Sequence, residues 1–142
     1  MSMLFRSNKR AAGTALIEFA IVLPVLVILV IGIAELGLFI YDKQIITNAS
    51  REGARFGIVY SVPRKTVAAI QTVITTYASS YMVTFGAANT PRLNPAPTPC
   101  VNSGDNLTVR VTYTYAPLIA PNSIMTWVLP TTLSATTVMK CE

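Results

Sequence analysis

Phe19-Ala-Ile-Val-Leu-Pro-Val-Leu-Val-Ile-Leu-Val-Ile-Gly-Ile-Ala34 decides the architecture: 16 consecutive uncharged residues, bounded by Glu18 and Glu35. As a helix this run spans about 24 Å at 1.5 Å per residue. The apolar flanks Gly13–Ile17 and Leu36–Tyr41 carry it past a hydrocarbon core of about 30 Å. A chain of 142 residues is too small to surround such a helix on every side. A membrane crossing over residues 14–41 is therefore expected in place of a soluble core helix. Arg6, Lys9 and Arg10 precede the run, the signature of a cytoplasmic flank, which puts the C-terminal part outside. The run is too long for a cleaved secretory signal and lacks a small-residue exit site. Pro24 removes one backbone donor inside the run and is expected to kink or loosen the helix there. Arg51-Glu-Gly-Ala-Arg55 follows with no loop signal between, so the helix is expected to continue as a stalk over residues 42–60.

Composition excludes several functions. Hydrophobic residues make up 52% and charged residues 12%, half of the roughly 25% charged in globular chains. The 11 bases and 6 acids give a net charge of +5, and there is no histidine. Without histidine there is no Ser-His or Cys-His pair and no imidazole metal ligand, and two cysteines alone cannot make a tetrahedral metal site. No metal, no cofactor and no enzymatic activity are expected. Away from the N-terminal cluster, eight bases face the six acids with no basic stripe, which argues against a nucleic-acid surface.

Beyond the membrane, Ile45, Ile46, Ala49, Gly53, Phe56 and Val59 or Tyr60 recur at three- and four-residue steps, a helix stripe ending near Tyr60. Pro63 is placed to start a second helix running to Val83, with Val67, Ile70, Ile74, Tyr77, Ala78 and Tyr81 as its core face. Asn89–Cys100 is proline-rich and reads as a surface loop. Leu107-Thr-Val-Arg-Val-Thr-Tyr-Thr-Tyr115 alternates residue by residue, the clearest strand in the chain. Ser123–Leu129 reads as a short helix anchored by Trp127. Leu133, Ala135, Thr137, Met139 and Cys141 give a returning strand. The fold class is α+β: a long N-terminal helix, then an external domain over 61–142 with a second helix on an antiparallel sheet. Cys100 and Cys141 lie on the external side, where a disulfide is permitted. Pairing within one chain would close a loop of about 40 residues, worth about 4 kcal/mol in the chain-entropy account. Intermolecular pairing and free thiols stand as alternatives.

Glu18 is costly where it stands, just inside an apolar helix, and so marks a functional position with a partner to find. It lies five residues past Gly13 and is followed by Phe19. Gly13-Thr-Ala-Leu-Ile-Glu-Phe-Ala-Ile-Val-Leu-Pro24, Gly32-Ile-Ala-Glu-Leu-Gly37, Thr47-Asn-Ala-Ser-Arg-Glu-Gly-Ala-Arg55 and the closing Thr132–Glu142 together resemble the TadE-like family. Those proteins are pseudopilins of the tight-adherence (Flp) pilus machinery. Cys141 departs from the family's closing signature.

The resemblance implies a prepilin-type leader over residues 1–13, cut by a prepilin peptidase at Gly13–Thr14. The new amine of Thr14 would then face Glu18 of a neighbouring subunit, with Phe19 and Pro24 in the same register segment. Such a pair in low dielectric gains strength, partly offset by desolvation. Arg51, Glu52, Gly53 and Arg55 are helix-packing candidates: Gly53 and Ala54 admit a close helix while the charges set register. The implied role is non-enzymatic, in pilus assembly and adhesion. The partners would be other pilin subunits, membrane assembly proteins of the tight-adherence system and the lipid of the bacterial inner membrane. A single-pass anchored binding module or adhesin that never joins a pilus is the alternative.

Overall fold

The computed structural model describes residues 9–83, 90–117 and 131–142, with side chains described from residue 13 onward. The elements are α1 (Lys9–Ile58), α2 (Val67–Tyr81), β1 (Arg92–Leu93), β2 (Asn106–Thr114) and β3 (Thr132–Lys140). The chain divides into two compact units, Met1–Ala34 and Glu35–Glu142, and α1 contributes to both. The α+β class read from the sequence is the observed one. The expected helix at Ser123–Leu129, with Trp127, falls outside the described residues.

In the first unit α1 is a bare helix. From Gly13 to Ala34 every residue is exposed except Ile31, which is half-buried. The helix continues through Pro24, whose missing N–H leaves the carbonyl of Ala20 without its usual donor. Large apolar side chains stand in the open: Ile28 is 70% exposed and Leu16 69%. By length and composition this segment is able to cross a membrane, and none of its apolar window is buried by the protein itself.

The second unit is built on a three-stranded antiparallel sheet in the order β1-β2-β3. β2 and β3 pair along their whole length, from Asn106 opposite Lys140 to Thr114 opposite Thr132. The alternation of β2 puts Leu107, Val109, Val111, Tyr113 and, just past the strand, Tyr115 into the core, and leaves Thr108, Arg110 and Thr114 outside. Leu133, Ala135 and Cys141 join them from the β3 segment. Helix α2 lays Ile70, Ile74 and Ala78 on this core, and α1 adds Ile46, Ala49 and Ala54. The stretch read as a stalk is thus a core element: Glu35–Ile58 packs within the same unit as the sheet, which also takes in residues 35–41 from the apolar run.

Several boundaries moved. α1 ends at Ile58, whose carbonyl accepts from the Glu142 amide at 3.1 Å, so Val59 and Tyr60 lie beyond it and are exposed. α2 starts at Val67, not at Pro63. Thr66 is the N-cap, its hydroxyl accepting from the Ala69 amide at 3.2 Å, and a threonine there satisfies a donor that proline cannot. The proline-rich segment is not all loop. Arg92–Leu93 pairs with Val111–Thr112, Asn94 donates to the Arg110 carbonyl, and Pro91 and Pro97 are buried.

α1 and α2 run antiparallel and very close. A Cβ on Gly53 would stand 2.6 Å from Ile74 Cγ1, and one on Gly57 would stand 2.5 Å from Leu107 Cδ2. Hydrogen at these two positions is what lets α2 and β2 reach the backbone of α1. At the other end of the hairpin, the Tyr41 hydroxyl donates to the Tyr81 carbonyl at 3.0 Å.

Candidate assembly surface

The residues singled out by sequence fall into three groups. Gly13, Thr14, Glu18, Phe19 and Pro24 all lie on the exposed helix of the first unit. Phe19 is 61% exposed, and nothing stands within 4 Å of where a Gly13 side chain would be. The Gly13–Thr14 bond lies inside α1, and Glu18 follows one turn later on an uncovered surface.

The second group splits along the helix. In Thr47-Asn-Ala-Ser-Arg-Glu-Gly-Ala-Arg55, five positions are used by the fold. Ala49, Gly53 and Ala54 are buried, and the Thr47 hydroxyl donates to the Lys43 carbonyl. The Ser50 hydroxyl bonds to Thr137 Oγ1 at 2.8 Å, tying α1 to β3. Within the chain the helix that approaches Gly53 closely is α2. The side chains of Arg51, Glu52 and Arg55 are exposed and make no hydrogen bond or ion pair among the described residues. With Asn48, Tyr77 and Met139 they line an open hollow of about 250 Å³.

The third group is the cysteine pair. Cys100 and Cys141 are joined within the chain, Cα atoms 5.8 Å apart, both buried. The bond pins the end of β3 to the segment leading into β2. Cys141 extends the ladder by donating to the Asp105 carbonyl at 2.8 Å.

Sequence reading missed a buried acidic stripe. Glu35 and Asp42 are fully enclosed, two helical turns apart on the face of α1 that continues through Ile46, Ala49 and Gly53. The Tyr115 hydroxyl donates to Glu35 Oε2 at 2.9 Å, and Phe39 meets the Tyr115 ring edge-on at 5.4 Å. The Val83 amide donates to Asp42 Oδ1 at 3.3 Å, while Oδ2 has no partner among the described residues. Burial therefore raises the Asp42 pKa, and the Val83 amide offsets only part of that. Tyr115 is also pushed up, first by burial and then by its bond to Glu35. The signal was present as steps of four, three, four, three and four through Glu35, Phe39, Asp42, Ile46, Ala49 and Gly53. An apolar period passes over it because two of its six positions, Glu35 and Asp42, are carboxylates.

Among the described residues no three His, Cys, Asp or Glu side chains gather where they would hold a metal ion. The arrangement offers docking geometry: an uncovered apolar helix with one acid, and a small disulfide-closed domain with unpaired charges on its long helix. Compared with known families, residues 13–55 match the family described as TadE-like protein. Comparisons with curated proteins and with solved structures give no significant match.

Proposed function

Because residues 13–55 of the chain are TadE-like, we propose that it is a pseudopilin of a Flp-type (tight-adherence) pilus, working in assembly and not in catalysis. The observation that carries the reading is the placement of Gly13, Thr14, Glu18 and Phe19 at the head of a helix that nothing among the described residues covers. A prepilin peptidase would cut at Gly13–Thr14 and remove residues 1–13. The helix would then anchor the protein in the inner membrane through its uncovered apolar stretch, from residue 14 to Ala34, with the unit that begins at Glu35 outside. An uncovered Glu18 in lipid needs a positive partner, and the freed amine of a neighbour's Thr14 supplies one. Pro24 lies in the same segment, where a neighbouring helix compensates for the lost backbone bond. Arg51, Glu52 and Arg55, unspent by the fold, are available to other subunits.

The N-terminal sequence of the protein purified from its own membrane tests this directly. Thr14 as first residue is expected. An intact leader would favour an anchored binding module that never enters a pilus. Glu18→Ala is expected to leave the protein in the membrane and abolish its contribution to pilus formation and attachment. Unchanged attachment would sink the assembly role.

A further inference from the structure

β3 is an edge strand: among the described residues one side of its backbone pairs with no other strand. The ladder to β2 runs through odd-numbered residues: the Tyr115 amide donates to the Thr131 carbonyl at 2.7 Å and the Cys141 amide to the Asp105 carbonyl at 2.8 Å. In an antiparallel pair the bonded positions alternate, so Leu133, Ala135, Thr137 and Met139 bond to β2. The N–H and C=O groups of Thr132, Ser134, Thr136, Val138 and Lys140 then point away from it. Among the described residues no strand lies on that side. Among the described residues, the Ser134 carbonyl is the one outward group that is engaged, by the ammonium of Lys43. Thr132, Thr136, Val138 and Lys140 are exposed, Val138 by 57%.

Nine residues with no proline, no glycine and no bulge form a template about 30 Å long for another extended chain. The charge around it selects the occupant. Lys43, held at Ser134, and Lys140 mark two points six residues apart along the edge, about 20 Å. The unit Glu35–Glu142 has eight lysines and arginines and five acids, but Glu35 and Asp42 are buried, leaving three acids at the surface. Two copies meeting edge to edge would oppose like charge, the way lysines blunt sheet edges against self-pairing. A strand from a different chain with a carboxylate at each end meets the opposite field.

We propose that β3 docks an extended segment of another protein by strand addition, the segment carrying acidic residues about six positions apart with β-branched residues between them. The backbone supplies the affinity and the two lysines the register and the choice of partner. This goes beyond the pseudopilin reading and does not depend on leader cleavage, so either stands or falls alone.

The test uses the full chain in detergent micelles and a labelled, end-capped heptapeptide, Glu-Val-Thr-Val-Thr-Val-Glu. Saturable binding is expected, lost with lysines in place of the glutamates and weakened several-fold by Lys43→Gln or Lys140→Gln. Thr136→Pro deletes an outward N–H and spares the β2 ladder, and is expected to weaken binding at least tenfold. Two further peptides, N-methylated at odd or at even amides, leave the protein untouched. Strand addition predicts that one of them loses binding and the other keeps it. Equal binding by both, equal binding of the lysine peptide, no saturation into the millimolar range, or self-association through β3 would each overturn the proposal.

Discussion

Replacing Gly53 by alanine sets two opposed effects against each other at one atom. In an exposed helix interior the change stabilises by about 1 kcal/mol, because alanine gives up less backbone freedom on folding. Here the new Cβ would lie 2.6 Å from Ile74 Cγ1 and 2.7 Å from its Cδ1, against about 3.5–4.0 Å for carbons in contact. One of the two helices must retreat by nearly an ångström. Ile74 is fully buried, and a β-branched side chain on a helix has essentially one χ1 rotamer, so it has no other place to turn. Overpacking of this kind costs about 1–3 kcal/mol. The cost wins, and the expected net loss is about 1 kcal/mol, up to about 2. For a unit of this size that lowers the melting temperature by roughly 5 °C or more. Thermal and urea unfolding of the full chain in micelles, followed by near-UV circular dichroism of the tyrosines, reads it out. In an Ile74→Ala background both clashing atoms are gone, and Gly53→Ala should turn neutral or stabilising. Stabilisation by about 1 kcal/mol from Gly53→Ala alone, or an equal cost with and without the Ile74 side chain, would refute the steric account.

Two more perturbations separate the forces holding the outer unit. Cys100→Ser with Cys141→Ser opens a link between residues 41 apart and should cost about 4 kcal/mol by loop entropy, measured as a lowered urea midpoint. A loss below about 1 kcal/mol would mean the sheet holds that end unaided. Burial keeps the Asp42 carboxyl above its ordinary value of 3.8, so the folded state binds this proton more tightly than the unfolded. The resulting stability is full below the unfolded pKa and is lost as pH rises through the folded one. Asp42→Asn should therefore gain on the parent chain as pH rises from about 4 to about 7, and a parent that gains on the variant over that range refutes the buried-acid account.

How much was legible in the sequence varies by element, for physical reasons. The period of two in Leu107–Tyr115 is imposed by one wet and one dry sheet face, and the strand appears one residue away from where that pattern puts it. β1 was illegible because a two-residue strand between prolines has no period; only its pairing with Val111 and Thr112 makes it one. Gly53 was singled out for a helix to approach, but whether that helix belongs to this chain or another is not a local property. Ile74 answers it from 21 positions away. Glu35 stands in the sequence only as the acid that closes the uncharged run. Its burial depends on Tyr115 and Phe39, and no pattern near position 35 encodes the tyrosine.

The sequence by itself determined the long apolar helix and the strand alternation. Each is written in runs or periods that local chemistry reads without reference to distant residues. Tertiary structure alone decided that the stalk is a core helix, that two carboxylates are enclosed in it, and that β3 keeps an edge unpaired among the described residues. Burial and strand order are properties of which segments meet, and segments far apart in sequence meet only once the chain has folded.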